Sequence, residues 1–219
     1  MKKMLNGWVA VVIPVLLLLA SCDKGSTIGG YSSGPYSSII TWYLDADDVS
    51  TSYEDDAIEL RFVGSKRYER GSAEHTQLSE YFGDTSWNGY EGDYTGPREV
   101  LYHPVASIEV TSGVAFNDYP PMTLLNDVVV LKWYSIKPYI DSGYPYCGNP
   151  LDEWVAYESP LSQMDDVKMA LASPYMYLSF TEVPEIKTQH LIITIYDTAG
   201  NVITVRCEYT FSDDSAEVL

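Results

Sequence analysis

A segment in the middle of the chain has the residue types that a sugar-binding surface needs. Residues 81–97 interleave aromatic rings with glycines and carboxylates. Flat rings cover the apolar C–H face of a sugar, and polar groups beside them bond its hydroxyls. The candidate binding residues are Trp87, Tyr90, Tyr94, Asn88, Asp84 and Asp93. The alternative is that these rings pack over an open end of the fold, with the glycines permitting the bends.

Three acidic clusters raise the question of a calcium site. Calcium needs six to eight oxygen ligands from a tight loop. The segment that begins at Asp45 lacks the glycine at its sixth position and the glutamate at its twelfth. We therefore expect solvated turns and no cofactor, with a weak calcium site as the alternative. The clusters are Asp45, Asp47 and Asp48; Glu54, Asp55 and Asp56; and Asp165 and Asp166.

The histidines and cysteines show no catalytic or zinc pattern. His75, His103 and His190 are scattered, and with Cys147 and Cys207 they give no ligand spacing for zinc. The sequence has no nucleophile-elbow, zinc-protease or phosphate-loop motif. Carboxylate pairs for glycoside hydrolysis depend on distances that only the fold sets. We expect a protein that is not an enzyme, with its histidines on the surface or on strands.

Cys147 and Cys207 pose a choice between a disulfide and two free thiols. Two thiols in an exported chain favour a bridge. Cys207, however, lies on the apolar face of a predicted strand, where a free thiol packs as a small hydrophobe. Both possibilities stay open.

The N-terminal residues have the pattern of an export signal. Lys2 and Lys3 precede an apolar run, residues 8–20, which is shorter than the ~20 residues that a helix needs to cross a membrane. The apolar run ends in the sequence Leu19-Ala20-Ser21-Cys22, which resembles the lipobox of bacterial lipoproteins. The resemblance implies that cleavage removes residues 1–21 and that Cys22 carries the lipid anchor. The alternative is an uncleaved signal anchor with a free Cys22.

Charge and composition limit the classes of partner. Cleavage before Cys22 would leave 198 residues and, because Lys2 and Lys3 leave with no acid, a net charge of −20. An apolar content of 46% with 19 tyrosines is typical of a folded chain. A strongly acidic surface repels nucleic acid, so we expect no nucleic-acid partner.

Hydrophobic residues alternate with polar ones through most of the mature chain, which predicts strands with one buried face. The first predicted strand, 39–44, ends in an acidic turn at 45–48. Others centre on 58–62, 108–110, 129–133 and 176–180. Residues 191–196 and 203–211 predict a β-hairpin whose loop contains Gly200.

Helical patterns are scarce. Residues 72–82 predict one short helix, and a capping box at 162–165 predicts one or two helical turns before Pro174. We therefore predict an all-β, immunoglobulin-like β-sandwich over residues 39–211 with one or two short helical inserts. A β-barrel is the second choice. Residues 22–38, rich in Gly and Ser, predict a flexible tether, and 212–219 a frayed acidic tail.

Residues 105–112, 116–120 and 124–127 resemble a pattern in lipoproteins of about this size from Bacteroidota. Many such proteins with β-sandwich domains work at the outer membrane in glycan capture or in surface assemblies. The resemblance implies a lipid-anchored cell-envelope protein, at the outer membrane, with a binding or scaffolding role and a glycan as ligand. The alternative is a structural or interaction subunit of an envelope complex, with an envelope protein as partner.

Overall fold

The computed structural model describes residues 37–54, 56–88, 98–145 and 150–212. Within these ranges the chain consists mainly of β-strands. The strands are β1 (Trp42–Asp45), β2 (Asp48–Glu54), β3 (Ala57–Val63), β4 (Lys66–Glu69), β5 (Glu99–Leu101), β6 (Val105–Ser112), β7 (Val129–Ser135), β8 (Val155–Pro160), β9 (Ala172–Phe180), β10 (Thr188–Asp197) and β11 (Val202–Thr210). The helices are α1 (Ala73–Phe82) and α2 (Lys137–Asp141), with short 3-10 turns at Pro150–Glu153, Leu161–Gln163 and Asp166–Met169.

The described strands form three separate sheets. One has five strands in the order β2-β3-β9-β7-β8, and the others have the orders β11-β10-β6 and β4-β1-β5. Neighbours are antiparallel except β1 and β5. The five-stranded sheet and the β11-β10-β6 sheet share one hydrophobic core, which includes Leu60, Leu178 and Ile193. The predicted β-sandwich is confirmed.

Alternation along the strands sorts side chains between this core and solvent. On β3, Ile58, Leu60 and Phe62 are buried, while Arg61 between them is exposed. The predicted closing hairpin is also confirmed, with Ile193 opposite Val205 in the β10–β11 pair. Its loop has Gly200 at a φ of 87°, in the left-handed region that favours glycine.

A second core lies beneath the small β4-β1-β5 sheet. Its buried members are Ile39, Ile40, Tyr43, Trp87, Val100, Ile136, Tyr139, Ile140 and Leu171. The helix α1 contributes Leu78 and Phe82 to its margin, so it is more than a surface insert. The prediction of a helix over 72–82 is confirmed. Ser72 caps its start by accepting from the His75 N–H at 3.1 Å, and Gly83 ends it with a φ of 78°.

Several predicted boundaries were wrong. The first strand begins at Trp42, and Asp48 opens β2 instead of closing the turn. Edge strand β2 escaped prediction because its alternation is mostly polar, with Val49 the one fully buried side chain. The turns predicted after the capping box are present as one short 3-10 turn, Asp166–Met169. The strands β4, β5 and β8 and the helix α2 were also missed; residues 213–219 lie outside the described ranges.

Asn126 covers the outer edge of β6. Its amide donates to the Ile108 carbonyl at 2.9 Å and accepts from the Val110 N–H at 3.1 Å. The Leu125 N–H donates to the Val110 carbonyl at 2.8 Å. Part of the 105–127 pattern is therefore a strand together with the segment that satisfies its edge.

Candidate functional site

Trp87 lies in the second core and not on a binding surface. Its side chain is 6% exposed, and its backbone N–H donates to the Ser37 carbonyl at 3.0 Å. The guanidinium carbons of Arg70 and Arg98 lie 5.8 and 5.9 Å from its ring centroid. A sugar cannot stack on a ring that is covered in this way. The prediction of Trp87 as a sugar platform was wrong, and the packing alternative describes it.

Asp84 is fully buried and binds the backbone at the start of the fold. Its carboxylate accepts from the N–H groups of Ile39 at 2.9 Å and Ile40 at 3.1 Å. It also accepts from the Ser38 hydroxyl and, at 2.9 Å, from the Tyr144 hydroxyl. These four bonds occupy the carboxylate's acceptor sites, so Asp84 is a structural residue and not a ligand for sugar hydroxyls.

Of the other predicted sugar-binding residues, Asn88 is exposed. Tyr90, Asp93 and Tyr94 lie outside the described ranges. The structure therefore leaves one described member of that set on the surface. It also moves the start of the folded domain back from residue 39, because Ser38 is 5% exposed and bonded to Asp84.

The backbone carbonyls of Ile39 and Ile40 are also hydrogen-bonded, in this case by side-chain donors. Arg70 donates to the carbonyls of Ile39 at 3.1 Å and Ile40 at 3.3 Å, and His75 Nε2 lies 3.0 Å from the Ile40 oxygen. Because a carbonyl only accepts, Nε2 carries the proton. Burial, and the charge of Arg70, lower the pKa of His75. We call this set, the backbone of residues 38–40 with Asp84, Arg70 and His75, the Asp84 clamp.

Ser79 and His75 have the residue types of a nucleophile and its base. They lie 3.3 Å apart through Ser79 Oγ and His75 Nδ1, beside a cleft of about 370 Å³. The Ser79 hydroxyl, however, is 5% exposed and also contacts the hydroxyls of Ser38 at 3.2 Å and Tyr43 at 3.5 Å. Burial raises the pKa of Tyr43. The hydroxyl is occupied by internal partners, which suits a stabilising network more than an attacking group.

A buried ion pair closes the side of the second core next to Trp87. Arg98 donates through Nε to Glu153 at 2.6 Å and through a second nitrogen at 2.8 Å. The two side chains are 8% and 0% exposed. This two-point pairing satisfies a carboxylate that would otherwise be costly to bury.

In the first acidic cluster, each aspartate has a neighbouring partner. Asp45 lies 3.8 Å from Lys66, and Asp47 accepts from the Ser65 hydroxyl at 3.1 Å. Asp48 accepts from the backbone N–H of Val49. Asp55 lies outside the described ranges. Where the structure describes the chain, no group of three or more His, Cys, Asp or Glu side chains could hold a metal ion.

The histidines and cysteines differ in burial. His75 is 2% exposed inside α1, which corrects its predicted place on the surface or a strand. His103 is half-buried, and His190 is exposed and 3.5 Å from Glu208. Cys207 is a free, half-buried thiol whose pKa is raised by burial. The disulfide alternative is therefore not realised at Cys207; Cys147 lies outside the described ranges.

A row of tyrosines lies on the outer face of the five-stranded sheet, opposite the core. Tyr175 and Tyr177 are on β9, where Met176 and Leu178 point inward and are fully buried. Tyr134 follows the inward Trp133 on the neighbouring strand β7. All three tyrosines are half-buried, so part of each ring faces solvent. Residues two apart on a strand are separated by about 6.6 Å, which places the β9 rings side by side.

Charged side chains flank these rings. Arg61 on β3 pairs with Tyr175 in register, with its guanidinium carbon 5.7 Å from the ring centroid. Lys132 on β7 pairs with Tyr177, and its Nζ lies 5.6 Å from the Tyr134 ring. Burial and then the nearby Glu59 carboxylate raise the pKa of Tyr177. We call this surface, which comprises Tyr134, Tyr175, Tyr177, Glu59, Arg61 and Lys132, the tyrosine face.

Sequence reasoning missed this face, although the signal was present. The alternation at 176–180 predicts a strand whose inward residues are Met176, Leu178 and Phe180. The same alternation places Tyr175 and Tyr177 on the opposite side of the strand. What the sequence lacked was the strand order, which brings β3 and β7 to either side of β9.

The chain was compared with family models, with curated proteins and with solved structures, and none of the three comparisons finds a match. Among the residues that the structure describes, no helix is both long enough and apolar enough to cross a membrane.

Proposed function

We propose that this chain is a lipid-anchored lipoprotein of the bacterial cell envelope and that its β-sandwich captures glycans on the tyrosine face. The observation that carries the proposal is the row of half-exposed rings on β7 and β9, bordered by polar side chains. Flat rings provide an apolar surface for the C–H face of a sugar, and the flanking groups bond hydroxyls. An extended sheet face suits a chain of sugars better than a deep pocket does.

The anchor is proposed from the sequence Leu19-Ala20-Ser21-Cys22, which precedes the described residues. Acyl chains on Cys22 would hold the protein at a membrane, since each buried methylene contributes about 0.8 kcal/mol. The folded domain would then need no membrane-binding surface of its own. Metabolic labelling with an alkyne palmitate should mark the wild type and not Cys22→Ser; equal labelling of both would refute the anchor.

Glycan capture is tested by affinity electrophoresis of the chain in gels that contain a panel of polysaccharides. We expect retention by at least one polysaccharide and a loss of about tenfold or more in affinity for Tyr175→Ala/Tyr177→Ala, because two stacking surfaces disappear. The matched control is Tyr81→Ala, which removes a tyrosine that is 81% exposed on α1, away from the sheet. No retention of the wild type by any glycan, or equal losses in both variants, would contradict the proposal.

An interaction subunit of an envelope complex is the second candidate, and the edge of β8 favours it. Strand β8 pairs only with β7 among the described strands. Val155, its first residue, is 36% exposed, and Leu151, in the 3-10 turn that precedes the strand, is 73% exposed. A partner strand could pair with such an edge. A pull-down from detergent-solubilised membranes should then recover one stoichiometric protein, and Val155→Asp should release it; recovery of a lone monomer would count against this role.

A further inference from the structure

The cations of this acidic chain fall into two groups. Five of the ten that the structure describes are shown here within ion-pair distance of a carboxylate. These pairs are Lys66–Asp45, Arg67–Glu99, Arg98–Glu153, Lys137–Asp141 and Lys168–Asp165. Arg61, Lys132 and Arg206 form no such pair within the described residues. Of these three, Arg61 and Lys132 lie beside tyrosine rings, those of Tyr175 and Tyr134 respectively. Both belong to the tyrosine face.

Within the described residues, the acids on and beside this face form no ion pair with these cations. The Glu59 carboxylate accepts from the Ser52 hydroxyl at 3.0 Å and is also near the Tyr177 hydroxyl. Glu158 stands opposite Lys132 in the β7–β8 register, but the two charges lie beyond ion-pair distance. In a chain with a net charge of −18, the tyrosine face is therefore a place where positive groups remain available to a ligand.

From these contacts we infer that the ligand of the tyrosine face is an acidic polysaccharide, one that carries carboxylate or sulfate groups. This inference rests on the proposed glycan-capture function and names its substrate class. Guanidinium groups bind carboxylate and sulfate oxygens through two parallel hydrogen bonds, and an ammonium group binds them as a point charge. Neutral sugars would need neither cation.

The positions of the two cations fit an extended chain. Arg61 on β3 and Lys132 on β7 stand on opposite sides of β9, level with Tyr175 and Tyr177 respectively. Neighbouring strands lie about 4.8 Å apart and successive outward residues about 6.6 Å apart, which puts the two backbone positions about 12 Å apart. The two rings lie between them. A ligand would rest its apolar face on the rings and place acidic groups at either end of this diagonal.

Long-range repulsion by the rest of the protein does not prevent this contact. At physiological ionic strength the Debye length is about 8 Å, so exposed carboxylates beyond that distance are largely screened. Contacts of about 3–4 Å between Arg61 or Lys132 and the ligand lie well inside it. Binding should accordingly be weaker at low salt, where repulsion reaches further, and strongest at intermediate salt.

The test compares matched polysaccharides by affinity electrophoresis of the full acylated chain in detergent. Polygalacturonate is paired with its fully methyl-esterified form, which removes the carboxylates, and dextran sulfate with dextran. We expect the wild type to be retained at least tenfold more strongly by one or both acidic members, and the two pairs distinguish carboxylate from sulfate. Arg61→Gln/Lys132→Gln should lose that preference, while Arg206→Gln, an exposed cation outside the face, should keep it.

The outcomes separate this inference from the function on which it rests. Equal retention by acidic and neutral members, with loss in Tyr175→Ala/Tyr177→Ala, would leave glycan capture standing and overturn the acidic specificity. A preference that survives in Arg61→Gln/Lys132→Gln, or one that falls equally in Arg206→Gln, would overturn it too. No retention by any polysaccharide would remove both proposals. Because Arg61 and Lys132 are exposed, the double variant should fold, and an unchanged thermal midpoint by circular dichroism checks this.

Discussion

Trp87 and Tyr175 belong to two aromatic regions that differ in exposure to solvent. Trp87 stands in a segment rich in rings, glycines and carboxylates, yet its ring is 6% exposed and packs in the second core. Tyr175 stands in an ordinary alternating strand, yet its ring is half-exposed on the outer face of a sheet. The difference shows that the composition of a segment does not decide whether its rings are available. The position of a ring relative to the core decides whether it is available. On a strand, that position follows from the alternation of side chains between the two faces.

The two rings should therefore respond very differently to truncation. Trp87→Ala should lower the free energy of unfolding by about 3–5 kcal/mol, since it removes a buried ring and leaves a cavity. Tyr175→Ala should cost about 1 kcal/mol or less, because its ring is already partly in water. Urea denaturation followed by circular dichroism measures both. A smaller loss for Trp87→Ala than for Tyr175→Ala would reverse the comparison.

A buried and an exposed aspartate should differ in the same way. Asp84→Asn keeps the shape of the side chain but places an amide donor among four donors, so we expect a loss of about 2–4 kcal/mol. Asp118→Asn is the matched control, because Asp118 is exposed, and it should stay within about 0.5 kcal/mol of the wild type. Denaturant midpoints of the three proteins decide the point. A loss below about 1 kcal/mol in Asp84→Asn would show that the clamp contributes little.

The pH dependence of the Asp84 clamp gives the smallest effect. The pKa of His75 is lowered from 6.5 in the folded protein, so the unfolded chain takes up a proton first as pH falls. The contribution of His75 is fully present above pH 6.5 and is lost as pH falls from 6.5 through its folded pKa, with a slope of at most about 1.4 kcal/mol per pH unit.

His75→Gln isolates the pH-dependent contribution of His75 to stability, since glutamine does not titrate and still offers an N–H donor. The difference in unfolding free energy between the wild type and His75→Gln should shrink on acidification below pH 6.5, as urea titrations at several pH values would show. His190→Gln, in which an exposed histidine is replaced, should not reproduce that change. A difference that is constant with pH would mean that His75 is not buried as a neutral ring.

Local patterns carried much of the fold. The alternation at 58–62 and 191–211 predicted strands that the structure contains. The helix α1 begins after Ser72, which caps its N-terminus, and ends at Gly83, which takes the left-handed conformation. The strands β2 and β8 were missed because they lie at sheet edges, where most of their side chains face solvent and the hydrophobic period is weak.

The candidate site was predictable only in part, and for the same reason. The sequence by itself determined that Tyr175 and Tyr177 share a face and that Met176, which lies between them, takes the opposite face, because side chains on a strand alternate. Only the tertiary structure decided that β3 and β7 flank β9, which brings Arg61 and Lys132 beside those rings. It also decided that Asp84 faces the backbone of residues 38–40 and not solvent. Contacts between residues far apart in the chain depend on sheet order and packing, which no local pattern encodes.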